Sequence, residues 1–247
     1  MILDEILDSI ENDDMKEFTQ ELIKTIPPYY FQVAASSTGK YHPAYALGEG
    51  GLARHTCALV RFLNHTFEIE CMNKWTSRER DMLRIAGMMH DSRKSGSQED
   101  YENNKYTKFD HPLLAAEVVR SYKGWSPTIT DEEIEIIATA IESHMGQWNT
   151  DKRSSIVLPT PTNKYQKMIH WADYLASRKD IEVKFDDYTP TEEKPDPKTW
   201  KFLFGKYRGQ TFDFVKEIDP SYLVWLRDKA DMEIREPLKT FLQEINL

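Results

Sequence analysis

Apolar side chains spaced three and four residues apart run through most of the first 180 residues. Ile2, Leu3, Ile6, Leu7 and Ile10 form one stripe; Phe18, Leu22 and Ile26 form another. A stripe of this period is buried by packing helix on helix. The punctuation agrees. Pro27-Pro28 stops the second stripe. Thr76 to Glu79 and Thr130 to Glu133 have the spacing of a helix-opening capping box. Pro112 suits a first helical position, and Gly146 suits a helix end. Further helices are expected from Leu52 to about Phe67 and over "NKYQKMIHWADYLASRK". The fold class is mainly α.

After about residue 185 the composition changes. "DDYTPTEEKPDPKT", residues 186–199, is charged and proline-rich and reads as a linker. "WKFLFGKYRGQTF" then alternates aromatics and turns on glycines like a hairpin, and "DPSYLVWLRDKA" opens a helix with Asp219 at the cap and Pro220 in the first turn. The organisation expected is a helical bundle over 1–185, a linker over 186–199 and a small α+β domain over 200–247. Trp225 reads as part of a miniature core.

The chain has 247 residues, 40% hydrophobic and 30% charged, which allows a sizeable core in a soluble protein. Its net charge of -9 argues against a protein that coats nucleic acid. Two cysteines without CxxC spacing, Cys57 and Cys71, read as reduced and mostly buried thiols. The acidic opening "MILDEILDSI" is unlike a signal peptide, and no apolar run has membrane-spanning length, so a cytoplasmic location is expected.

His55, His90-Asp91, His111, His144 and Asp173 each stand in or beside a separate apolar helix. Helical bundles build metal sites this way, from side chains on facing helices. Four imidazoles and two carboxylates suit divalent ions, and the donor set does not choose among Mn, Fe, Ni, Co, Mg and Zn. Six donors exceed the needs of one catalytic ion with open positions, so two ions sharing Asp91 are plausible. Each histidine alone has other common uses, as a cap, a hydrogen-bonding core residue or a surface group. No HxxxH or HxxE pair helps. Composition and periodicity therefore stop at a helical protein with a candidate metal site.

The ordered pieces "GGLARHT", "MMHDSRK", "DHPLLAAEVV", "ESHMGQW" and "WADYLASR" resemble the HD-domain metal-dependent phosphohydrolase superfamily, over roughly residues 30–180. The resemblance implies an all-helical core and one ion held by His55, His90, Asp91 and Asp173. His111 and His144 fall where binuclear members place ligands for a second ion. Asp91 and Lys94 are then the catalytic pair, with Lys94 contacting phosphate or the bridging carboxylate. Many members read HDxGK; here Ser92-Arg93 replaces the apolar-Gly pair. Arg93 is a candidate phosphate contact. Ser37, Lys40 and Tyr41, in a long loop leading to His55, are candidate substrate contacts. His65 and His170 read as structural.

The "GGL..H" and "SHMG" segments resemble YhaM-type 3′→5′ exoribonucleases, and "FGKYRGQ" with the Tyr-Leu-x-Trp-Leu helix resembles a small C-terminal domain of some DnaQ-like exonucleases. These likenesses imply a nucleic-acid partner and favour a 3′→5′ exonuclease on single strands. The charge pulls the other way. Residues 200–247 carry eight basic and eight acidic side chains, and residues 1–199 carry 24 against 33. A strand would need a local patch, such as Lys206 and Arg208 with Tyr207. The alternatives are a small-nucleotide hydrolase and, last, a non-catalytic adaptor for nucleic acid or protein.

Overall fold

A computed structural model describes residues 2–36, 42–72, 74–181, 196–202, 205–229, 238, 241 and 242. The expected substrate contacts Ser37, Lys40 and Tyr41 lie outside the described residues. The chain divides into two compact units, Met1–Thr189 and Pro190–Leu247.

In the first unit the described helices are α1 (Asp4–Ser9), α2 (Asp13–Lys24), α3 (Gly51–Glu68), α4 (Ser77–Met89), α5 (Gln98–Asn103), α6 (His111–Arg120), α7 (Asp131–Glu142) and α8 (Lys164–Ala176). Both expected capping boxes form, at Thr76 on α4 and Thr130 on α7. The inner helices pack as a bundle: α3 against α4 and α8, α7 against α4, α6 and α8. One continuous apolar core results, from Leu3 and Phe18 through Leu59, Leu63 and Met89 to Ile141 and Ile169.

Two features set where the bundle is tightest. Gly87 on α4 faces α3 so closely that an added Cβ would lie 2.6 Å from the Leu59 side chain. Its missing side chain lets α3 and α4 approach one turn before His90. The buried Asp81 carboxylate ties α4 to the start of α2. It accepts from the Glu11 and Asn12 backbone N–H groups at 3.0 and 2.8 Å, from Asn12 Nδ2 at 2.6 Å and from Arg84 at 2.8 Å. A buried anion needs such partners, because water no longer solvates it.

The second unit has its own apolar cluster around Phe202, Phe212, Val215, Leu223 and Leu226. Its described helices are α9 (Phe212–Ile218) and α10 (Pro220–Lys229). Asp219 caps α10 as expected, accepting from the Tyr222 N–H at 3.2 Å. The expected α+β character needs correction. Among the described residues no strand forms: the pairing is one antiparallel bridge, Lys201 to Thr211, with backbone bonds from the Phe202 N–H to the Gln210 carbonyl at 2.9 Å and from the Phe212 N–H to the Trp200 carbonyl at 3.2 Å. Trp225 also differs from expectation. It is 47% exposed and stacks on Tyr222 instead of entering the core. Lys206 and Tyr207 both bond Asp219, at 3.0 and 2.7 Å, so their charge and hydroxyl are already engaged. Cys57 is buried as expected, whereas Cys71 is exposed, in a short 3-10 turn after α3. Among the described residues no helix is long and apolar enough to cross a membrane.

Asp81→Ala should cost about 3–5 kcal/mol, the usual penalty for stripping a buried charge partner, here Arg84. Urea unfolding would read it. Glu11, paired with Arg80 and Arg84, has its carboxyl lowered from 4.5 to about 2. A depressed carboxyl adds stability above its unfolded pKa, and that contribution is lost as pH falls from about 4.5 to about 2. Glu11→Gln should flatten the acid limb of the stability curve in that window.

Candidate metal centre

The six expected ligands converge in the first unit. His55 sits on α3, His90 caps the C-terminus of α4 with Asp91 next to it, His111 opens α6, His144 follows α7, and Asp173 lies on α8. The imidazoles form an unbroken arc. Ring centroids are 5.4 Å apart from His55 to His90, 5.0 Å from His90 to His144 and 5.3 Å from His144 to His111. All four histidines and Asp91 are at most 3% exposed.

Helix ends fix which ring nitrogen faces the centre. The last carbonyls of a helix have no partner within it. His90 Nδ1 lies 2.7 Å from the Gly87 carbonyl oxygen, and His144 Nδ1 lies 2.8 Å from that of Ile141. His111 Nδ1 lies 2.6 Å from the Lys108 carbonyl oxygen, in the turn before α6. A carbonyl only accepts, so each Nδ1 carries the proton. In a neutral imidazole each Nε2 then offers a lone pair.

Those lone pairs meet carboxylates. His111 Nε2 is 2.9 Å from Asp91 Oδ1, and His144 Nε2 is 3.8 Å from the same oxygen. His90 Nε2 is 3.5 Å from Asp91 Oδ2 and 3.6 Å from Asp173 Oδ1. His55 Nε2 is 3.0 Å from Asp173 Oδ1. His90 Nε2, His111 Nε2 and Asp91 Oδ1 are buried with no hydrogen-bond partner. Acceptors facing acceptors in a dry site require a cation between them. Mixed imidazole and carboxylate donors suit a borderline divalent ion, so the residues fit the metal. Ligand atoms group within 4.8 Å of one another as His55, His90 and Asp91, as His90, His144 and Asp173, and as Asp91, His111 and His144.

The charges are set for this role. Burial would raise both carboxyls. Lys94 and His90 overcome it at Asp91, and His55 and His90 overcome it at Asp173, holding both well below the usual carboxylate range. His144 is pushed down to about 3 by burial, and His42, stacked edge-on against His55, falls to about 4 for the same reason. Both are neutral at pH 7. Burial also opposes the charged form of His90, but Asp91 reverses the shift upward.

The surrounding residues hold the ligand turns. Lys94 Nζ donates to Asp91 Oδ2. The buried Tyr29 hydroxyl accepts from the Ser95 N–H at 3.0 Å and donates to the Gly96 carbonyl at 2.9 Å, anchoring the turn after Asp91. His170 spans the turn after α7: Nδ1 bonds the His144 carbonyl at 2.7 Å and Nε2 meets Gln147 Oε1 at 3.0 Å. Gly146 has φ +56°, and an added Cβ would lie 2.2 Å from the His170 ring. His65 is on the surface beside Glu68.

A cavity of about 540 Å³ opens over the centre. His55, Asp91, His111, His144, Asp173 and Lys94 line it together with Thr107, Trp148, Tyr174, Ser177 and Arg178. Arg93 is not among its lining residues. It lines a different cavity of about 360 Å³ with Ser97, Lys108 and Glu117. The wall residues Trp148, Tyr174 and Arg178 were within the motifs "ESHMGQW" and "WADYLASR", yet spacing alone does not tell a cavity-facing aromatic from a core one.

The family model for the HD domain matches residues 53–178. The chain belongs to the HD-domain family. That span runs from the start of α3 to just beyond α8 and contains all six converging residues. Membership makes the chain a metal-dependent phosphohydrolase, and its buried His/Asp groups suit divalent metal. Comparison with curated proteins and with solved structures finds no match.

His170→Ala should free the turn carrying His144. Loss of a partner that orients a ligand weakens metal affinity by about 10- to 100-fold. Calorimetric titration with Mn²⁺ would read the change; an unchanged isotherm would show that the turn holds without His170.

Proposed function

We propose that the centre holds two divalent ions sharing Asp91 and hydrolyses phosphoesters of single nucleotides. The carrying observation is that the Asp91 carboxylate faces His90 through one oxygen and His111 and His144 through the other. His55, His90, Asp91 and Asp173 would hold one ion; Asp91, His111 and His144 would hold the second. When bound, such ions supply Lewis acidity toward the phosphoryl oxygens and an activated water nucleophile.

The protein's own groups do the rest. Against burial, the Lys94 contact keeps Asp91 ionised and fixed, which suits a shared ligand. Lys94 adds positive charge where a phosphoryl oxygen gains negative charge. His42, neutral and lining the cavity with a buried Nδ1 that has no hydrogen-bond partner, is placed to accept a hydrogen bond from water or substrate. Asp91 and Lys94 remain the catalytic pair in this reading.

The small-nucleotide substrate is favoured by size and charge. A cavity of about 540 Å³ falls in the range that buries one small ligand. Among the described residues, Lys94 and Arg178 are the only Lys or Arg side chains that line it. A single strand running through would call for a longer cationic track. The 3′→5′ exonuclease reading keeps one supporting observation, the exposed aromatic wall, on which a terminal base of a strand can stack.

Asp91→Ala should reduce turnover by at least about 10³-fold while helicity by circular dichroism is unchanged. Persistence of activity in that variant, or in excess chelator, would remove the mechanism. His111→Ala should lower bound Mn²⁺ from two ions per chain to one by elemental analysis. One incubation with Mn²⁺, pairing a mixed nucleotide pool with a 5′-labelled RNA oligomer, decides between the substrates. Consumption of the pool with the oligomer intact is expected; shortening of the oligomer alone would favour the exonuclease.

A further inference from the structure

We infer that Trp148, Tyr174 and Arg178 form a nucleobase-binding subsite on the wall of the catalytic cavity. The inference rests on the phosphohydrolase reading for its phosphate end and stands on separate residues for its base end.

Three observations carry it. Trp148 and Tyr174 stack almost in parallel, with ring centroids 5.9 Å apart and planes 10° apart. The Arg178 guanidinium lies 4.9 Å from the Tyr174 ring centroid, and its Nη1 donates to the Tyr174 hydroxyl at 3.2 Å. Cation, phenol and indole thus form one layered unit. This unit is also open: Trp148 is 50% exposed and Tyr174 36%. An exposed indole costs hydration free energy that burial elsewhere would have recovered. Finally, all three side chains line the same cavity as Asp91, His111 and His144. A molecule with its phosphoryl group over the carboxylates therefore has this wall beside it.

The layer is held firmly. Tyr174 lies in the last turn of α8, one turn beyond His170, Arg178 follows the C-cap Ser177 with its N–H bonded to the Leu175 carbonyl at 3.0 Å, and His170 in turn fixes the segment carrying Trp148. The ring of Trp148 lies 6.1 Å from that of His170. The bond that orients the His144 carbonyl therefore also sets the wall, and the two ends of the site share one support.

The chemistry selects a base. A flat π-surface backed by a cation binds a flat heteroaromatic ring by stacking, whatever its hydrogen-bonding edge. Sugars and alkyl groups lack that face. Thr107 and Ser177, also on the wall, supply hydroxyls for edge contacts. The subsite takes a purine or pyrimidine with little choice between them, purines binding more tightly through larger overlap.

The test separates the two ends of the site. Calorimetry with adenosine and with ribose, in chelator, reads the base subsite without any metal or hydrolysis. Adenosine should bind and ribose should not. Trp148→Ala should weaken adenosine by about 5- to 100-fold, and Trp148→Phe should restore most of it. In Mn²⁺, Trp148→Ala should raise KM for adenosine monophosphate by a similar factor and leave ribose 5-phosphate unchanged. Equal loss on both phosphates, or adenosine binding insensitive to Trp148→Ala, would overturn the subsite; so would wild-type protein that binds adenosine no better than ribose. Trp148-dependent adenosine binding with no hydrolysis of any phosphoester would instead keep the subsite and discard the phosphohydrolase reading.

Discussion

Acceptors that face one another in a dry interior set the terms for this molecule. Backbone carbonyls take the Nδ1 protons of His90, His111 and His144. Three Nε2 lone pairs are thereby aimed at the Asp91 and Asp173 carboxylates. Left alone, that arrangement is repulsive and desolvated. Positive charge must enter it, as a proton on His90 or as metal. Asp91 shifts His90 upward and burial shifts His144 downward, on rings 5.0 Å apart. Ligand nitrogens must be free of protons to bind metal, so affinity for the ion is coupled to pH.

The helices serve this cluster through their ends. An α-helix leaves its last carbonyls unpaired, and a histidine at or just after the terminus can use one of them without disturbing the helix. His90 and His144 both do so. His55, near the start of α3, is oriented instead by Asp173 across the α3–α8 interface. Close packing at Gly87 brings α3 and α4 near enough for the two kinds of ligand to share one site. Stability and function are joined here, because separating these helices would also separate the ligands.

A second layer of order runs from the centre to the cavity wall. Tyr29 secures the turn after Asp91, and His170 secures the turn between His144 and Trp148. Tyr45, in the short 3-10 turn before α3, donates to the carbonyl of Ala176 at 3.0 Å and ties that turn to the end of α8. Through these bonds the ligand-bearing turns and the aromatic residues of the cavity become parts of one frame. Rigid aromatic walls of this kind bind flat ligands with little loss of side-chain freedom.

Period, caps and breakers located α3, α4, α6, α7 and α8 from the amino-acid order alone, because these signals are local: they depend on neighbours three or four residues away. The ordered series of His and Asp at helix ends pointed to the metal and, through its resemblance, to the HD family. What a side chain faces is a different matter. Successive residues of a turn point in different directions, so Lys94 reaches Asp91 while Arg93 lines another cavity. Likewise Trp148 and Tyr174, 26 positions apart, become a stacked wall only when the turn after α7 folds back on α8. The exposure of Trp225 and of Cys71 has the same origin: burial is decided by which surfaces meet, and chain order does not encode that by spacing. The sequence determined the helices and the donor atoms; tertiary packing decided their convergence, because only contact between distant elements fixes direction and removes water.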